Sequence, residues 1–370
     1  MNIFSNPQGW PEIPLVEVAT LKRGYDLPAS KREEGNVPIY AANGQNGTHN
    51  EEKKHGPAVV TGRSGTIGKV HYVEGGYWPL NTALYVTDFH GNDPKWVYYM
   101  LKHFRLERFV QGAGVPTLNR NLVHGELIPT PPFEEQKRIT DILDKADGIR
   151  RKRQQAIQFA DEFLRSVFLD MFGDPVINSK GWDVKPLGEV VINLNGNRVP
   201  VKKADRSDMN GEYPYYGASG IIDYVDSFLF EKRNLLIGED GANLLARSTP
   251  IAFIADGKYW VNNHAHVLGE KDGFSLDYLR YSINLRPLNK YVTGSAQPKL
   301  NQENLNKIPI QIPGKDLMEK FEEILKKQEL MKENVLIACE LHLFESLSQK
   351  AFSGELTNDT FLKALEVNPE

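Results

Sequence analysis

The chain repeats itself, and this internal repeat limits the possible folds more than any other feature of the sequence. The string GWPEIPLVEVA at residues 9–19 returns as GWDVKPLGEVV at residues 181–191, an offset of 172. Further matches follow at offsets of 176 and then 182, including Pro38/Pro214, Tyr40/Tyr216, Gly62/Gly238, Gly65/Gly241, Trp78/Trp260, Asn119/Asn301 and Pro131/Pro313. Two small insertions in the second copy would produce an offset that rises in two steps and is otherwise constant, whereas chance matches would have scattered offsets. The sequence therefore predicts two copies of one structural unit.

Length and composition agree with a globular protein of two or three domains. Of the 370 residues, 40% are hydrophobic and 25% are charged, a balance typical of folded proteins. No apolar run approaches the roughly 20 residues that a membrane span needs, and MNIFSNPQGW lacks the features of a secretion signal. The one cysteine, Cys339, can form neither an internal disulfide nor a multi-thiolate zinc site. We therefore expect a cytoplasmic protein that does not bind a membrane.

Each copy has the same order of predicted elements, and this order indicates a mixed α/β unit. A PL-x-EV segment predicts a short helix, and glycine-separated apolar runs predict short strands. These runs are VPIYAA, PAVVTG, GKVHYV and TALYVTD in the first copy and YPYYGAS, NLLIGE, IAFIAD and AHVLGE in the second. A helix then begins at DPKWVYYMLKHF, with Asp93 as N-cap and Pro94 at the first helical position. Its counterpart is SLDYLRYSINL, and each copy closes on a proline-rich hinge, LIPTPPFEEQ or IPIQIPGKDL.

A long segment without helix breakers follows the first hinge. From Glu134 to Phe172 there is no proline and one glycine, Gly148, and Gly173 followed by Pro175 ends the segment. Its apolar positions alternate spacings of three and four, apart from Arg153, at Ile142, Ala146, Ile149, Ala156, Ala160, Phe163 and Val167. The segment after the second hinge has a similar stripe, at Phe321, Ile324, Gln328, Met331, Val335, Ala338, Leu341 and Phe344.

Such stripes are typical of coiled coils. We therefore predict two long helices, residues 134–172 and 317–353, that pack on each other. The first would be a rod of roughly 58 Å. The alternative is that each helix folds onto the core of its own domain.

The combination of these features resembles the specificity (S) subunit of Type I restriction–modification systems. The resemblance rests on GWDVKPLGEV opening a unit, IPTPPFEEQKRITDIL opening a long helix and SLSQKAFSGELT closing the second one. It covers essentially the whole chain, and the motifs recur in duplicate, although the second hinge has KDLMEKF in place of the EEQ string.

The resemblance implies a duplicated α/β fold in which two target-recognition domains are joined by two long antiparallel helices that form a coiled coil. It assigns residues 1–133 and 173–316 to target-recognition domains, 134–172 and 317–353 to spacer helices and 354–370 to a C-terminal tail. It also implies a non-catalytic subunit that reads a split site in double-stranded DNA. The implied partners are two methyltransferase subunits, which bring S-adenosylmethionine and methylate N6 of adenine, and restriction subunits, which act as motor and nuclease with ATP and Mg.

The net charge of −4 does not by itself indicate DNA binding, because a surface that holds DNA is normally basic. The two heads are nearly neutral. Residues 1–133 carry 13 Lys and Arg against 12 Asp and Glu, and residues 173–316 carry 17 against 17. The deficit lies in residues 317–370, with 6 against 11. DNA contact would therefore depend on local basic and amide-rich loops.

Such loops occur at matching places in the two heads. TGRSGTIGK and AGVPTLNRN in the first head and SAQPKLNQE in the second carry the Arg, Lys, Asn and Gln side chains that contacts to base edges need. The candidate DNA-contacting residues are Arg63, Ser64, Thr66, Lys69, Thr117, Asn119, Arg120, Arg247, Gln297, Lys299 and Asn301. The alternative is that charged runs are solvated faces and that amides cap helices. RRKR at 150–153 is open to three interpretations: a solvated face, a partner-facing surface or a contact with DNA beside the rod.

Some short patterns could suggest catalysis, but none has the context that catalysis requires. TGRSGTIGK fails the phosphate-loop spacing, since Val70 follows its lysine, and TPPF at 130–133 has threonine where adenine methyltransferases have Asp, Asn or Ser. Two further patterns are a nuclease-like set and a histidine pair without other ligands, namely Asp174, Asp183 and Lys185, and His264 and His266. The rival functions are a nuclease or methyltransferase with a fused recognition region, and a two-headed adaptor for another ligand.

Overall fold

The computed structural model describes residues 4–112, 114–294, 297–337 and 341–356. The chain forms two compact units, one of Met1–Gln155 with Asn334–Glu370 and the other of Ala156–Glu333. The division falls inside the long helices, so each unit is one head together with helical segments from both predicted spacers. The narrower limits assigned above to the heads, spacers and tail stay predictions.

The first unit holds twelve named strands within its described residues, and its helices come from both ends of the chain. The strands are β1 (Glu12–Pro14), β2 (Thr20–Arg23), β3 (Val37–Ala41), β4 (Gly44–His49), β5 (Lys54–His55), β6 (Ala58–Gly62), β7 (Val70–Val73), β8 (Gly76–Pro79), β9 (Ala83–Asp88), β10 (Val110–Gln111), β11 (Thr117–Leu118) and β12 (Leu127–Pro129). The helices are α1 (Leu15–Val18), α2 (Pro94–Phe104), α3 (Arg120–His124), the start of α4 (Phe133–Phe172) and, near the end of the chain, α11 (Leu341–Phe352), with 3-10 turns at Ala29–Lys31 and Leu106–Phe109.

The second unit repeats this order with fewer strands. The strands are β13 (Asp183–Pro186), β14 (Val191–Asn193), β15 (Asn210–Gly217), β16 (Gly220–Val225), β17 (Asn234–Gly238), β18 (Ala252–Ala255), β19 (Trp260–Val261), β20 (Ala265–Glu270) and β21 (Pro309–Ile312). The helices are the end of α4, α5 (Leu187–Val190), α6 (Lys203–Arg206), α7 (Asn243–Ala246), α8 (Leu276–Leu285), α9 (Gln302–Asn306) and α10 (Lys315–Ile337), with a 3-10 turn at Asn195–Asn197.

The sheets confirm that the two heads are copies of one fold. A four-stranded antiparallel sheet has the order β2-β9-β6-β7 in the first head and β14-β20-β17-β18 in the second. A second sheet contains a parallel pair in both heads, β3 with β8 and β15 with β19. The predicted strands and the two PL-x-EV helices are thus confirmed.

Short hydrogen-bonded turns at the entry to each head are also duplicated. In the first head the amide of Asn6 donates to the carbonyl oxygen of Trp10 at 2.8 Å and accepts from its backbone nitrogen at 2.9 Å. Asn178 and Trp182 make the same pair of bonds, at 2.8 and 3.0 Å. The motif N-x-x-G-W therefore marks the start of each copy because its first and last residues close one turn.

The helix after the four-stranded sheet begins as the sequence predicts. The carboxylate of Asp93 accepts from the backbone nitrogen of Trp96 at 2.7 Å, and Pro94 is the first helical residue. In the second head Ser275 caps α8 by accepting from the backbone nitrogen of Tyr278 at 3.1 Å. Both caps satisfy backbone donors that the first turn leaves without helical partners.

The first long helix lies within one residue of its predicted bounds. It runs from Phe133 to Phe172 and ends where Gly173 adopts a φ of +80°, a conformation that favours glycine. For the second spacer, predicted over 317–353, the structure has α10 and α11. Residues 338–340, which include Ala338 of the stripe and Cys339, lie outside the described part of the chain. Among the described residues, no helix is both long enough and apolar enough to cross a membrane.

The predicted stripe on α4 is correct in its first half and wrong in its second. Ile142 and Ala146 are buried in the core of the first unit. In the second unit, however, Phe163 is 48% exposed and Ala156 is exposed, whereas the adjacent Leu164 is buried. The residues buried there are Leu164, Phe168 and Phe172. They are four residues apart and therefore lie on one face of the helix.

The buried line shifts because each end of α4 packs on a head. Phe168 and Phe172 belong to the second unit's core cluster, with ring centroids 5.5 and 4.8 Å from that of Tyr278. The first end of α4 therefore packs on the core of its own head, as in the alternative interpretation, whereas its second end packs on the core of the following head. Met331 of the second stripe is likewise 60% exposed, while Phe321 and Leu325 are buried.

Two phenylalanines of α4 provide a matched test of which face of the helix is buried in the second unit. Phe168 is fully buried and Phe159 is 65% exposed on the same helix. We expect Phe168→Ala to lower the free energy of unfolding of the second unit by about 3–5 kcal/mol, because it leaves a cavity among aromatic rings. Phe159→Ala should change it by about 0.5 kcal/mol or less. Urea unfolding of both variants measures the difference, and equal effects would contradict the assigned buried face.

Candidate nucleic-acid interface

Backbone hydrogen bonds bring the predicted loops of the first head together. The segment that follows β6 lies beside the segment that leads into α3. The backbone nitrogen of Leu118 donates to the carbonyl oxygen of Arg63 at 2.8 Å, and that of Gly65 donates to Pro116 at 2.8 Å. Ser64 and Thr117 form an isolated antiparallel bridge between these bonds. We call residues 112–119 the first reading loop.

The second head builds the same arrangement at the repeat offsets. The backbone nitrogen of Leu300 donates to the carbonyl oxygen of Glu239 at 2.7 Å, and that of Gly241 donates to Pro298 at 3.0 Å. Asp240 and Lys299 form the corresponding bridge. We call the stretch 293–301 the second reading loop; its residues 295 and 296 are not described. The two heads therefore hold their reading loops on identical backbone frameworks.

The side chains of the first head keep a basic and polar surface at this framework. The Nε atom of Arg63 donates to the carbonyl oxygen of Asn81 at 2.9 Å, which fixes the plane of the guanidinium group. Thr66 is half-buried and Lys69 is exposed on the same loop. Arg120 donates to the carbonyl oxygen of Leu21 at 3.3 Å from the first turn of α3. These four residues and the bridge of Ser64 with Thr117 therefore occupy neighbouring segments.

Two candidate asparagines have a structural role in both heads. The side chain of Asn119 accepts from the backbone nitrogen of Asn121 at 3.0 Å and caps α3. Asn301 accepts from Asn304 at 2.8 Å and caps α9. Capping uses the oxygen of each amide and leaves the NH2 group available as a donor. The DNA contact of these residues stays a prediction.

The second head places a carboxylate where the first head has Arg63. Glu239 binds Arg198 at 2.7 Å and Lys299 at 3.2 Å, and its Oε2 lies 3.6 Å from Nδ1 of His266. The adjacent Asp240 pairs with His264 at 2.8 Å. Sequence reasoning did not identify Glu239. The signal was present, since its alignment with Arg63 reverses the charge at one position of the repeat.

The cations keep the buried carboxyl group of Glu239 ionised. Burial alone would raise its pKa, but the hydrogen bonds of Arg198 and Lys299 and the charge of Arg198 outweigh burial, and the pKa lies below its ordinary value. Lys299 remains about half exposed, at 52%. Glu239 therefore holds the stem of the second reading loop and fixes where the ammonium group of Lys299 lies.

His266 is buried behind this cluster in its neutral form. The amide nitrogen of Asn195 donates to Nδ1 at 2.9 Å, and Nε2 donates to the carbonyl oxygen of Leu300 at 2.7 Å. The Oδ1 atom of Asn195 is used by the backbone nitrogen of Val267, which fixes the orientation of the amide. Burial lowers the pKa of His266. This effect outweighs the negative charge of Glu239, which by itself would raise the pKa of His266. The histidine pair is thus divided into a buried structural residue and an exposed partner of Asp240.

The remaining two candidates lie in different surroundings. Gln297 is exposed on the second reading loop. Arg247 is half-buried with a φ of +52°, and its guanidinium group donates to the carbonyl oxygen of Arg286. Burial lowers the pKa of Arg247. In the described part of the chain no hydrogen bond or ion pair joins Arg247 to the second reading loop.

The residues of the nuclease-like pattern take part in turns and strands. The carboxylate of Asp174 accepts from the backbone nitrogens of Val176 and Ile177 at 2.6 and 3.1 Å, which closes the turn after α4. Asp183 and Lys185 are exposed on β13, which pairs with β21. Among the described residues, no group of three or more His, Cys, Asp or Glu is placed to hold a metal ion.

Because His266 is neutral in the folded chain, the stability of the second unit should depend on pH. Its pKa is lower in the folded chain than in the unfolded chain, where it is near 6.5. The unfolded state therefore binds more protons, and the stability of the second unit should fall as the pH decreases below about 6.5. In His266→Gln this slope should be shallower, by at most about 1.4 kcal/mol per pH unit. Thermal unfolding at pH 7.5 and 5.5 measures it.

The matched control is His264→Gln, which removes an imidazole that is 48% exposed and paired with Asp240. This variant leaves the buried imidazole of His266 in place, so it controls for the loss of a histidine side chain as such. Equal slopes for the unchanged chain and His266→Gln would contradict a neutral, buried imidazole.

Comparison with known proteins supports the duplication and adds a family. A family model described as the Type I restriction modification DNA specificity domain matches residues 7–158 and 179–335. A putative Type I restriction enzyme specificity subunit, S.HindORF215P of Haemophilus influenzae, is 38% identical over 129 residues, which are 35% of this chain and 32% of that relative. The match thus spans about a third of that relative's length. The MjaIX specificity subunit of Methanocaldococcus jannaschii is 22% identical over 305 residues, 71% of this chain and 69% of the relative.

The fold also matches a solved structure along nearly its whole length. The crystal structure of the Type I restriction–modification system S subunit from M. genitalium aligns with a TM-score of 0.62 at 16% identity and covers 95% of this chain and 96% of that one. The predicted fold class, duplicated α/β target-recognition domains joined by long helices, is thereby confirmed. Since the family model covers most of the chain in two successive segments, the chain belongs to the family of Type I restriction–modification DNA specificity domains and carries two copies of the domain.

Proposed function

We propose that the chain is the non-catalytic DNA-recognition and scaffold subunit of a Type I restriction–modification enzyme and that each head reads one half of a split site in double-stranded DNA. The observation that carries the proposal is the duplicated loop framework. Backbone hydrogen bonds hold the two reading loops alike, while the side chains on them differ. A shared framework with different side chains is what two readers of different sequences need.

The differences fall at equivalent positions of the repeat. Ser64 and Thr117 in the first head correspond to Asp240 and Lys299 in the second. The major groove presents a different pattern of donors and acceptors for each base pair, so loops that differ in donors and acceptors select different bases. The two half-sites should therefore differ, and the whole site should be asymmetric.

The proposal of DNA contact rests on the positive charge of a few loops and not on the net charge of the chain. The heads are close to neutral by count, so binding depends on the cations that the loops present, Arg63, Lys69, Arg120 and Lys299. Each cation that meets a phosphate releases counterions. The affinity should therefore fall with salt, but less steeply than for a protein that is basic over its whole surface.

An exposed apolar surface on the long helices supports the scaffold role. In the second unit Phe159, Phe163, Leu330 and Met331 are between 48% and 65% exposed. An ion pair of Asp161 with Lys332 joins α4 to α10 in the same region. Contiguous exposed apolar patches commonly mark a protein interface. We assign this surface to methyltransferase subunits, two of which would bind the chain.

In this proposal the chemistry belongs to the partners. The methyltransferase subunits bring S-adenosylmethionine and methylate N6 of one adenine in each half-site. Restriction subunits, acting with ATP and Mg, complete the nuclease. The chain itself supplies sequence recognition and the scaffold on which the partners assemble.

A methylation experiment tests the proposal. The chain and its methyltransferase, expressed together in a host without other methylation, should methylate a bipartite, asymmetric motif with a few unread base pairs in its middle. Either protein alone should transfer no methyl group to DNA. Replacing residues 1–133 with the head of another family member should change one half of the motif and keep the other. Methyl transfer by the chain alone, or a continuous motif, would overturn the proposal.

Side-chain replacements test the reading surfaces. Arg63→Ala should weaken binding by about 1–3 kcal/mol and relax specificity at one position of one half-site, because a guanidinium held by Asn81 can donate to a base edge. Lys299→Ala should weaken binding to all sequences about equally and flatten the salt dependence, as for a phosphate contact. The matched controls, Lys31→Ala and Lys232→Ala, remove exposed lysines outside the loops. If binding by both loop variants equals that of the controls, the recognition face lies elsewhere.

A further inference from the structure

A second basic site lies beside the first reading loop, where α2 ends. It is a cavity of about 600 Å³ between α2, the 3-10 turn Leu106–Phe109, α4 and α11. The lining side chains are Lys102, His103, Arg105, Glu107, Arg108, Arg150, Phe344, Ser348 and Gln349. All belong to the first unit. We call this cavity the basic pocket.

The pocket carries more positive than negative charge. Its four cations, Lys102, Arg105, Arg108 and Arg150, face one carboxylate of the lining, Glu107. Arg150 is bound at 2.6 Å by Asp147, which lies outside the lining. In the described part of the chain, no carboxylate forms an ion pair with Lys102 or Arg105.

Aromatic rings hold two of these cations in position. The ammonium group of Lys102 lies 5.0 Å from the ring of Tyr98 and 5.3 Å from that of Phe344. The guanidinium group of Arg108 lies 5.2 Å from the ring of Phe104. A cation over a ring face is fixed in position but keeps its charge, so Lys102 remains able to meet an anion.

His103 responds to the surplus of positive charge. Its ring stacks on Phe352 at 5.1 Å. Burial, together with the smaller effect of the charges of Arg105 and Arg108, lowers the pKa of His103 to about 4. The imidazole is therefore neutral at physiological pH, and the charge of the pocket comes from Lys and Arg alone.

The pocket is joined to the first reading loop by the chain itself. The turn Leu106–Phe109 continues into β10, which pairs with β11 so that Val110 lies opposite Leu118. Glu107 also packs against the loop that carries Arg63, since a Cβ atom on Gly68 would lie 2.5 Å from Oε2 of Glu107. Gly112 is four positions after Arg108 in the chain, a reach of at most about 14 Å.

We propose that the basic pocket binds backbone phosphates of the DNA that flanks the half-site read by the first head. The inference rests on the proposed function. Duplex DNA carries one phosphate charge for about every 1.7 Å of its axis, so about eight phosphates lie within 14 Å along the axis on either side of a base at the loop. A contact of this kind adds affinity without sequence information.

At the matching positions of the repeat the second unit carries fewer cations, although Lys290 corresponds to Arg108. At an offset of 182, Asn284 and Leu285 of α8 take the positions of Lys102 and His103, and proline takes that of Arg105. The nearby Arg286 is buried and donates to the carbonyl oxygen of Pro175. The flanking contact is therefore expected on one side of the bipartite site.

The test uses Lys102→Gln with Arg105→Gln in the full chain, bound to its methyltransferase. Both replacements keep a side-chain stem and remove the charge. Binding to cognate and non-cognate duplexes should weaken equally, and the slope of log affinity against log salt should fall by about 1.8, or 0.9 for each lost phosphate contact. The variant should therefore lose roughly 12-fold less affinity than the unchanged complex between 50 and 200 mM salt. The methylated motif should not change.

Trimming the duplex identifies the ligand. Removing the flank on one side of the site should abolish the difference between the variant and the unchanged complex, and removing the other flank should preserve it. The control pair, Lys22→Gln with Lys31→Gln, removes the same charge from exposed lysines that do not line the pocket and should keep the slope. The single variant Arg105→Gln, with a slope reduced by about 0.9, guards against a folding defect in the double variant.

Each failure has a separate meaning. An unchanged slope in a correctly folded variant would overturn the inference while the bipartite motif still supports the proposed function. A difference that persists after both flanks are trimmed, or that inorganic phosphate abolishes at low millimolar concentration, would overturn it in favour of an acidic protein surface or a free phosphate. If the unchanged complex reads no bipartite site, the proposed function itself fails.

Discussion

The hydrogen bonds between each reading loop and the end of a central strand are the constraint on which the rest of the site depends. Leu118 binds the backbone of Arg63 in one head, and Leu300 binds that of Glu239 in the other. These bonds join main-chain atoms only, so they place no restriction on the side chains. The loops can therefore differ in sequence while their positions over the sheet stay fixed.

Where the two heads have different side chains at one position, a charge that becomes buried requires changes at neighbouring positions. An arginine at the strand end needs one backbone acceptor, which Asn81 provides. A glutamate at the same place is buried, and an unpaired buried carboxylate would be strongly destabilising. The second head accordingly supplies Arg198 and Lys299, both within 3.2 Å. A change at one position of a recognition loop thus requires compensation at others, and exchanging single loop residues between heads should be poorly tolerated.

The sequence was sufficient for the architecture of each head. Offsets of the repeat, glycine-bounded apolar runs and the cap at Asp93 depend on local chemistry, and the structure has these elements at the predicted places. The stripe on α4 was wrong in its second half, because periodicity shows that a helix has an apolar face but not what covers it. The face that is buried there is the one that carries Phe168 and Phe172, because these rings pack on Tyr278 and Phe321, which are far away in sequence.

The candidate site could be predicted only in part for a similar reason. A loop that is rich in Arg, Lys and amides can be recognised from the sequence alone. Other features depend on the folded structure and cannot be read from one segment. They are the helix cap formed by Asn119, the half-buried position of Arg247 and the grouping of Arg105 with Arg150. Sequence reasoning therefore located the loops but could not decide which side chains on them are already engaged.

The core of the first unit has a consequence for synthesis on the ribosome. Leu347, Ala351, Phe352 and Leu356, from the end of the chain, are part of the same core as Leu15 and Trp96. Residues 156–333 of the second unit are continuous, so that unit can close while translation proceeds. The first unit must wait for about 190 more residues after its first part has emerged, or roughly 10–40 s at ordinary rates of elongation. The head that is made first is therefore completed last, and its apolar surface is open to chaperones for that interval.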